Sequence, residues 1–201
     1  MPTTGERYPV FPLQLSADVT VTSHLIPPES EYPPRIRKMK IYYDYIEKKA
    51  RADIEEGYEA AKIYIRRYDQ KNEYMIRLPP INDCSRAYLG EKMPFPEVPA
   101  SKYMGVRVVN GINCDYFVSD ETDSKVHIYV DHNSAAPVRL TVSSVENGQE
   151  SDLLTYDYSN VVLLSPSDSL FEIPEPYEHS SCARIVGGFP YLHVFHYFVR
   201  F

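Results

Sequence analysis

Apolar and polar residues alternate along most of this chain. Leu13, Leu15, Ala17, Val19 and Val21 are separated by Gln14, Ser16, Asp18 and Thr20. A period of two marks a strand with one wet face. Pro27, Pro28, Pro33 and Pro34 then break the chain. Met39, Ile41, Tyr43 and Tyr45 face one way, while Lys38, Lys40 and Asp44 face the other. Ala50, Ala52 and Ile54 alternate with Lys49, Arg51, Asp53 and Glu55, which predicts a hairpin turning near Glu47-Lys48. A helix competes here, because Ile46, Ala50, Ile54 and Tyr58 recur every four residues. The alternation extends outward on both sides, so strands are the better reading. Ile63 and Ile65 form the next strand, Asp69-Gln70-Lys71-Asn72 a turn, and Tyr74, Ile76 and Leu78 another strand.

Residues 79–101 are loop-like and carry five prolines, which suggests a boundary or a lid. Asn110-Gly111 between Val106–Val109 and Ile112–Val118 predicts a tight hairpin, since Asn-Gly accepts the positive φ of a type I′ turn. Val126, Ile128 and Val130 share one strand face; Val138, Leu140 and Val142 follow; Asn147-Gly148 turns the chain; Leu153 to Leu164 is the last long strand. About ten strands with short connections predict an all-β fold. It is a single domain over residues 1–201, a large, curved, half-barrel-like antiparallel sheet with its core in 10–182. Loops and the aromatic segment 183–201 are expected to cover the concave face. That segment packs ten apolar or aromatic residues into positions 189–201.

Composition supports this reading. The chain has 18 tyrosines and no tryptophan, and 17 prolines against 8 glycines. Tyrosine suits a pleated surface, and proline suits strand ends and turns. No run approaches the ~18 apolar residues of a membrane-spanning helix. The net charge of −7 argues against nucleic acid as a partner. It is unevenly placed: residues 1–100 hold 15 basic and 15 acidic residues, and residues 101–201 hold 6 and 13. Arg35, Arg37, Lys38, Lys40, Lys48, Lys49 and Arg51 form a basic cluster, read either as a solvated strand face or as a site for anionic head groups or an acidic partner. Lys38, Lys40, Lys49 and Arg51 are its candidate contacts. The first residues lack the apolar core of a signal peptide. The expectation is a cytoplasmic protein as given, or a secreted or endolysosomal one if a leader was removed. Cys84, Cys114 and Cys182 fit one disulfide and a free thiol in the second case, or three thiols in the first.

The chemistry-bearing residues do not converge. His193 and His196 stand at i, i+3 with no third ligand evident, and His127 and His132 flank Asp131, where His127 and Asp131 share a strand face only if the strand stays regular. His179 precedes Cys182 by three residues without a cysteine-protease signature. There is no phosphate-binding glycine loop and no nucleophile elbow. No cofactor is implied. What remains is a one-sided apolar surface, either an open pocket or a filled core. Tyr43, Tyr45, Ile63, Ile65, Val108, Tyr116, Ile128, Val130, Leu140 and Tyr156 are the expected inward lining.

The motifs come in the order Lys40-Ile41-Tyr42-Tyr43-Asp44-Tyr45, Ala50-Arg51-Ala52-Asp53, Tyr64-Ile65-Arg66-Arg67-Tyr68-Asp69, Asn110-Gly111-Ile112-Asn113-Cys114-Asp115-Tyr116, Ala136-Pro137-Val138-Arg139-Leu140, Leu154-Thr155-Tyr156-Asp157-Tyr158 and Leu170-Phe171-Glu172-Ile173-Pro174. This order resembles the ependymin-related proteins and the non-catalytic N-terminal domain of some papain-like proteases. The resemblance implies a curved sheet like that of the bacterial lipoprotein carriers (LolA-like), a hydrophobic pocket, and a disulfide between Cys84 and Cys182. It implies a non-enzymatic carrier or binding protein for a lipid or other hydrophobic ligand. The alternatives are a protein-interaction module or homodimer with a filled core, and an enzyme or metal-binding protein using His127, His193 or His196.

Overall fold

The structure is a computed structural model and describes residues 7–57, 60–93, 95–98, 100–120 and 123–189. Twelve strands form one sheet that does not close into a barrel. The only helical element among the described residues is a 3-10 turn at Asp168–Phe171. The strands are β1 (Gln14–Ser23), β2 (Ile36–Asp44), β3 (Lys49–Glu56), β4 (Lys62–Arg67), β5 (Asn72–Arg77), β6 (Asp83–Tyr88), β7 (Lys102–Val109), β8 (Ile112–Asp120), β9 (Ser124–Asp131), β10 (Pro137–Glu146), β11 (Gln149–Val162) and β12 (Ala183–Arg184). Their order across the sheet is β12-β6-β5-β4-β3-β2-β1-β11-β10-β9-β8-β7.

This order is two meanders joined edge to edge. β1 to β6 run outward on one side; β7 to β11 start at the far edge and run back until β11 pairs with β1. Residues 46–56 are a turn and strand, not the competing helix, because β3 is paired on both sides. β6 lies within the stretch whose sequence reads as loop. Its Asp83-Cys84-Ser85-Arg86-Ala87-Tyr88 run has no apolar alternation, and its pairing with β5 makes it a strand.

The link from β6 to β7 explains how the apolar face is covered. Ten strand positions separate the two, so a flat sheet would hold them about 48 Å apart. Residues 89–101 would have to be drawn nearly straight to span that distance. The link is instead bent, with the Glu97 N–H donating to the Phe95 carbonyl at 2.9 Å and the Ser101 N–H to the Val98 carbonyl at 3.2 Å. The sheet therefore curls, and the link crosses the apolar side as a cover. Leu89, Met93 and Val98 are buried there with Phe11. The Phe11 N–H donates to the Pro96 carbonyl at 2.8 Å, and Val98 N–H to the Pro9 carbonyl at 3.1 Å.

Beneath this cover lies the main core. Leu15, Val19, Ile41, Ala52, Ile128, Leu140 and Tyr156 are each at most 1% exposed. The core is filled by the chain's own side chains. A second cluster lies on the opposite face, where Ile63, Ile65, Tyr74 and Ile76 pack with Cys84 and Cys182. Cys84 and Cys182 are disulfide-bonded. The bond holds the segment after β11 across the outer face of β4 to β6, with Ile173 and Tyr177 packed against the cluster. The aromatic segment lies outside the described residues from Pro190 onward; Phe189, the last described residue, is buried in the main core.

Candidate functional site

The register sorts the expected lining into two faces. Leu15 pairs with Tyr43 and Tyr43 with Ala50. Tyr156 pairs with Leu140 and Leu140 with Ile128. Tyr43, Ile128, Val130, Leu140 and Tyr156 thus share the main core, and Tyr45 packs at its margin. Ile63 and Ile65 do not join them. Ala52 pairs with Tyr64 and Ala50 with Arg66, so Tyr64 and Arg66 take the core side and the two isoleucines face the disulfide. β4 is buried on both faces, so its apolar residues do not reveal which face is inner. Tyr116 is also on the outer face, because its neighbour Phe117 takes the core side opposite Ile128. Val108 lies on the edge strand β7 and is 68% exposed.

The four basic residues expected to meet head groups are committed elsewhere. Lys38 pairs with Glu56 at 2.9 Å and Lys40 with Glu55 at 3.2 Å. Lys49 pairs with Asp168 at 2.7 Å. Arg51 binds both Asp53 oxygens and the Leu170 carbonyl. β3 supplies Glu56 and Glu55 to the two lysines of β2, and Asp53 to Arg51 on the same strand. Lys38, Lys40 and Arg51 are thereby neutralised within their own hairpin, and Lys49 by the 3-10 turn after β11.

A different set of lysines is left without ion pairs among the described residues. The β2–β3 and β4–β5 turns lie at the same end of the sheet, two strands apart. The Asp69 N–H donates to the Lys48 carbonyl at 3.4 Å, tying the turns together. The Leu89 N–H donates to the Lys71 carbonyl at 2.9 Å and anchors the cover segment to them. Between these parts is a cavity of about 390 Å3, lined by Tyr45, Lys48, Tyr68, Lys71 and the Gly90–Met93 stretch. Tyr45 meets Phe95 edge to face at 5.3 Å, and Lys48 Nζ sits 3.0 Å from the centre of the Tyr45 ring. Tyr68 and Met93 belong to the main core, so the cavity opens onto the apolar side of the sheet. Its one acid, Glu91, is paired with Arg66 at 3.2 Å.

Lys48 and Lys71 have φ of +59° and +54°. That left-handed region favours glycine or asparagine, and a lysine held there costs on the order of 1 kcal/mol. Deeper in the core, the Tyr43 hydroxyl is buried with no hydrogen-bond partner among the described residues. Burial, together with Tyr68 and Tyr45, pushes its phenol well above the usual range.

Similar sheets occur in solved structures. An uncharacterized conserved protein from Thermus thermophilus aligns over 86% of this chain and 90% of its own, at 9% identity and a TM-score of 0.59. The Pseudomonas aeruginosa MucA/MucB complex contains a chain that aligns over 80% of this one and 56% of its own, at 10% identity and a TM-score of 0.52. A LolA superfamily protein from Nitrosomonas europaea aligns over 83% and 92%, at 12% identity and a TM-score of 0.34. At these identities the first two likenesses speak to the fold alone. No protein-family model and no curated protein matches the chain. Nothing in the comparisons supports the ependymin-related or protease-domain part of the resemblance.

The histidines are dispersed. His127 lies on the outer face against Tyr116 and Glu150. His179 accepts or donates at the Tyr74 hydroxyl at 2.7 Å; its neighbour Cys182 is in the disulfide and offers no thiolate. Cys114 is a free, buried thiol, and burial raises its pKa. His193 and His196 lie outside the described residues. No group of three metal-ligating side chains occurs among the described residues, and no described helix is long and apolar enough to cross a membrane.

Lys71, Lys92, Tyr68 and Met93 were missed by sequence reasoning. The usable signal was topological: two predicted turns, at Glu47-Lys48 and at Asp69–Asn72, fall at one end of a meander and bring their lysines together.

Proposed function

We propose that this chain is a non-enzymatic binding protein for a small amphiphile with an acidic head group. One observation carries the reading: an aromatic-lined cavity that opens toward the apolar face and has three lysines free of ion pairs among the described residues. Lys48, Lys71 and Lys92 are positioned to hold a carboxylate or similar anion by charge-assisted hydrogen bonds. Tyr45, Tyr68 and Met93 would cover the first part of the tail, whose burial contributes about 25 cal/mol per Å2. The cavity lies within the size range of small-molecule sites, about 300–1,000 Å3. The larger interior of the curled sheet is filled, so the ligand is short or displaces part of the cover segment.

A pair of probes with the same tail tests this. Dodecanoate and dodecanol are titrated into delipidated protein by calorimetry. Dodecanoate is expected to bind more tightly, and the triple variant Lys48→Glu/Lys71→Glu/Lys92→Glu to weaken it by about tenfold or more. No uptake of dodecanoate, or equal uptake of both probes by both proteins, overturns the reading.

A protein-binding role has its own observation in its favour. β7 is an open sheet edge whose Tyr103, Met104, Val106 and Val108 are exposed, a template for an added strand. One structure that shares the fold was solved as a complex, MucA/MucB. If the protein takes up neither probe, this edge becomes the better candidate.

A further inference from the structure

The outer face of the second meander carries a groove unrelated to the lysine cavity. It has a volume of about 550 Å3 and is formed by β1 and β7 to β11. Tyr116 and Tyr129, paired across β8 and β9, stack with ring centres 4.7 Å apart and planes 7° off parallel. The Tyr116 hydroxyl is 2.7 Å from His127 Nδ1, and His127 Nε2 meets Glu150 Oε1. A carboxylate can only accept, so Nε2 carries a proton; in the neutral ring Nδ1 then accepts from the Tyr116 hydroxyl. Tyr116, His127 and Glu150 thus form a hydrogen-bonded row along the wall, and the Tyr116 side chain also bonds Tyr129.

The rest of the groove carries three carboxylates, Glu150, Asp152 and Asp157, with Arg139 in its lining and Lys125 and Arg107 beside it. Arg139 Nε donates to Asp157 Oδ1 at 2.7 Å. Lys125 pairs with Glu150 at 3.3 Å. Ser143 Oγ donates to Asp152 Oδ1 at 2.9 Å. We propose that this groove is a second binding site, and that it takes a neutral, hydroxyl-rich ligand, a saccharide.

Three features select that chemistry. An anion would meet three carboxylates, Glu150, Asp152 and Asp157, while Arg139 and Lys125 are already paired and Arg107, over the Tyr116 ring at 5.8 Å, donates to the Val106 carbonyl. A cation would have to compete with Lys125 and His127 for Glu150 and with Arg139 for Asp157, and Asp152 is already held by the Ser143 hydroxyl. A neutral polyol meets neither obstacle. Each carboxylate also has about four acceptor sites and uses only some of them here, so sugar hydroxyls can donate without breaking the existing pairs. The half-buried stack of Tyr129, Tyr116 and His127, with Arg107 over the Tyr116 ring, adds ring edges and hydroxyls to the groove wall, against which the polarised C–H groups of a pyranose can pack. The proposal does not depend on the amphiphile cavity, which lies at the other meander's turns.

The test uses the intact chain and three probes, maltotriose, cellotriose and N,N′-diacetylchitobiose, titrated by calorimetry at millimolar concentrations. At least one is expected to bind. Tyr116→Ala and Asp157→Asn should each weaken it by about tenfold. Tyr116→Phe keeps the ring and should weaken it less than Tyr116→Ala. Tyr88→Ser, on β6 of the other meander, should leave it unchanged. Circular dichroism confirms that each variant is folded. Failure of all three sugars to bind overturns the proposal. So does binding that the folded Asp157→Asn and Tyr116→Phe variants leave unaltered, or tighter binding of inorganic phosphate or tetramethylammonium than of any sugar.

Discussion

At the scale of single residues, the side chains that break local rules are the informative ones. Lys48 and Lys71 occupy left-handed turn positions that asparagine or glycine would fill more comfortably. Tyr43 buries a hydroxyl with no hydrogen-bond partner among the described residues. An unsatisfied buried polar group costs about 1–3 kcal/mol, so Tyr43→Phe should stabilise the fold by about 1 kcal/mol in a denaturant titration. A clear loss of stability would mean that the hydroxyl is satisfied, and the idea of an orphaned phenol would be wrong. The sequence marked Tyr43 as inward from its alternation with Asp44 and Tyr42, and the register agrees. It could not mark the hydroxyl as unpartnered, because that depends on side chains from other strands. The same limit applies to the basic cluster: Lys38 and Lys40 look free in one dimension and are matched by Glu56 and Glu55 one strand away.

At the scale of elements, legibility follows how many faces of a strand are buried. β1 alternates buried and half-exposed residues along nearly its whole length, and its pattern is plain in the sequence. β4 is buried on both faces. Ile63 and Ile65 are apolar because the segment after β11 covers them, not because they face the main core. β6 is short and has no apolar alternation, and reads as loop. What makes it a strand is pairing with β5 on one side and the parallel β12 on the other. β12 is only two residues long, so the disulfide does much to keep it there. The Cys84–Cys182 bond closes a separation of 98 residues. Replacing both cysteines with serine should cost about 2–5 kcal/mol. Hydrogen exchange should quicken at Ile65, Tyr74 and Ile76 before it changes at Ile128 or Leu140. Equal quickening in both sets would show that the bond supports the whole sheet rather than its outer cover.

At the scale of the molecule, strand order is the feature least visible in the sequence. The pairing of β1 with β11 joins strands from opposite ends of the sheet-forming chain, and no local pattern announces it. Its consequence is mechanical. β1 lies between the two meanders, with β2 on one side and β11 on the other. Its inner residues Leu15, Ala17, Val19 and Val21 belong to the core that runs beneath both. The cover segment, pinned to the Lys71 turn and to Phe11, crosses the same core. Two meanders that share a strand, a core and a cover should unfold together. A single transition is therefore expected, with fluorescence of the tyrosines and far-ultraviolet circular dichroism coinciding. Leu15→Ala, at a position with no exposed surface, should destabilise that one transition by about 2–5 kcal/mol. Two separated transitions, with Leu15→Ala moving only one of them, would mean that the meanders are independent units that merely touch at β1 and β11.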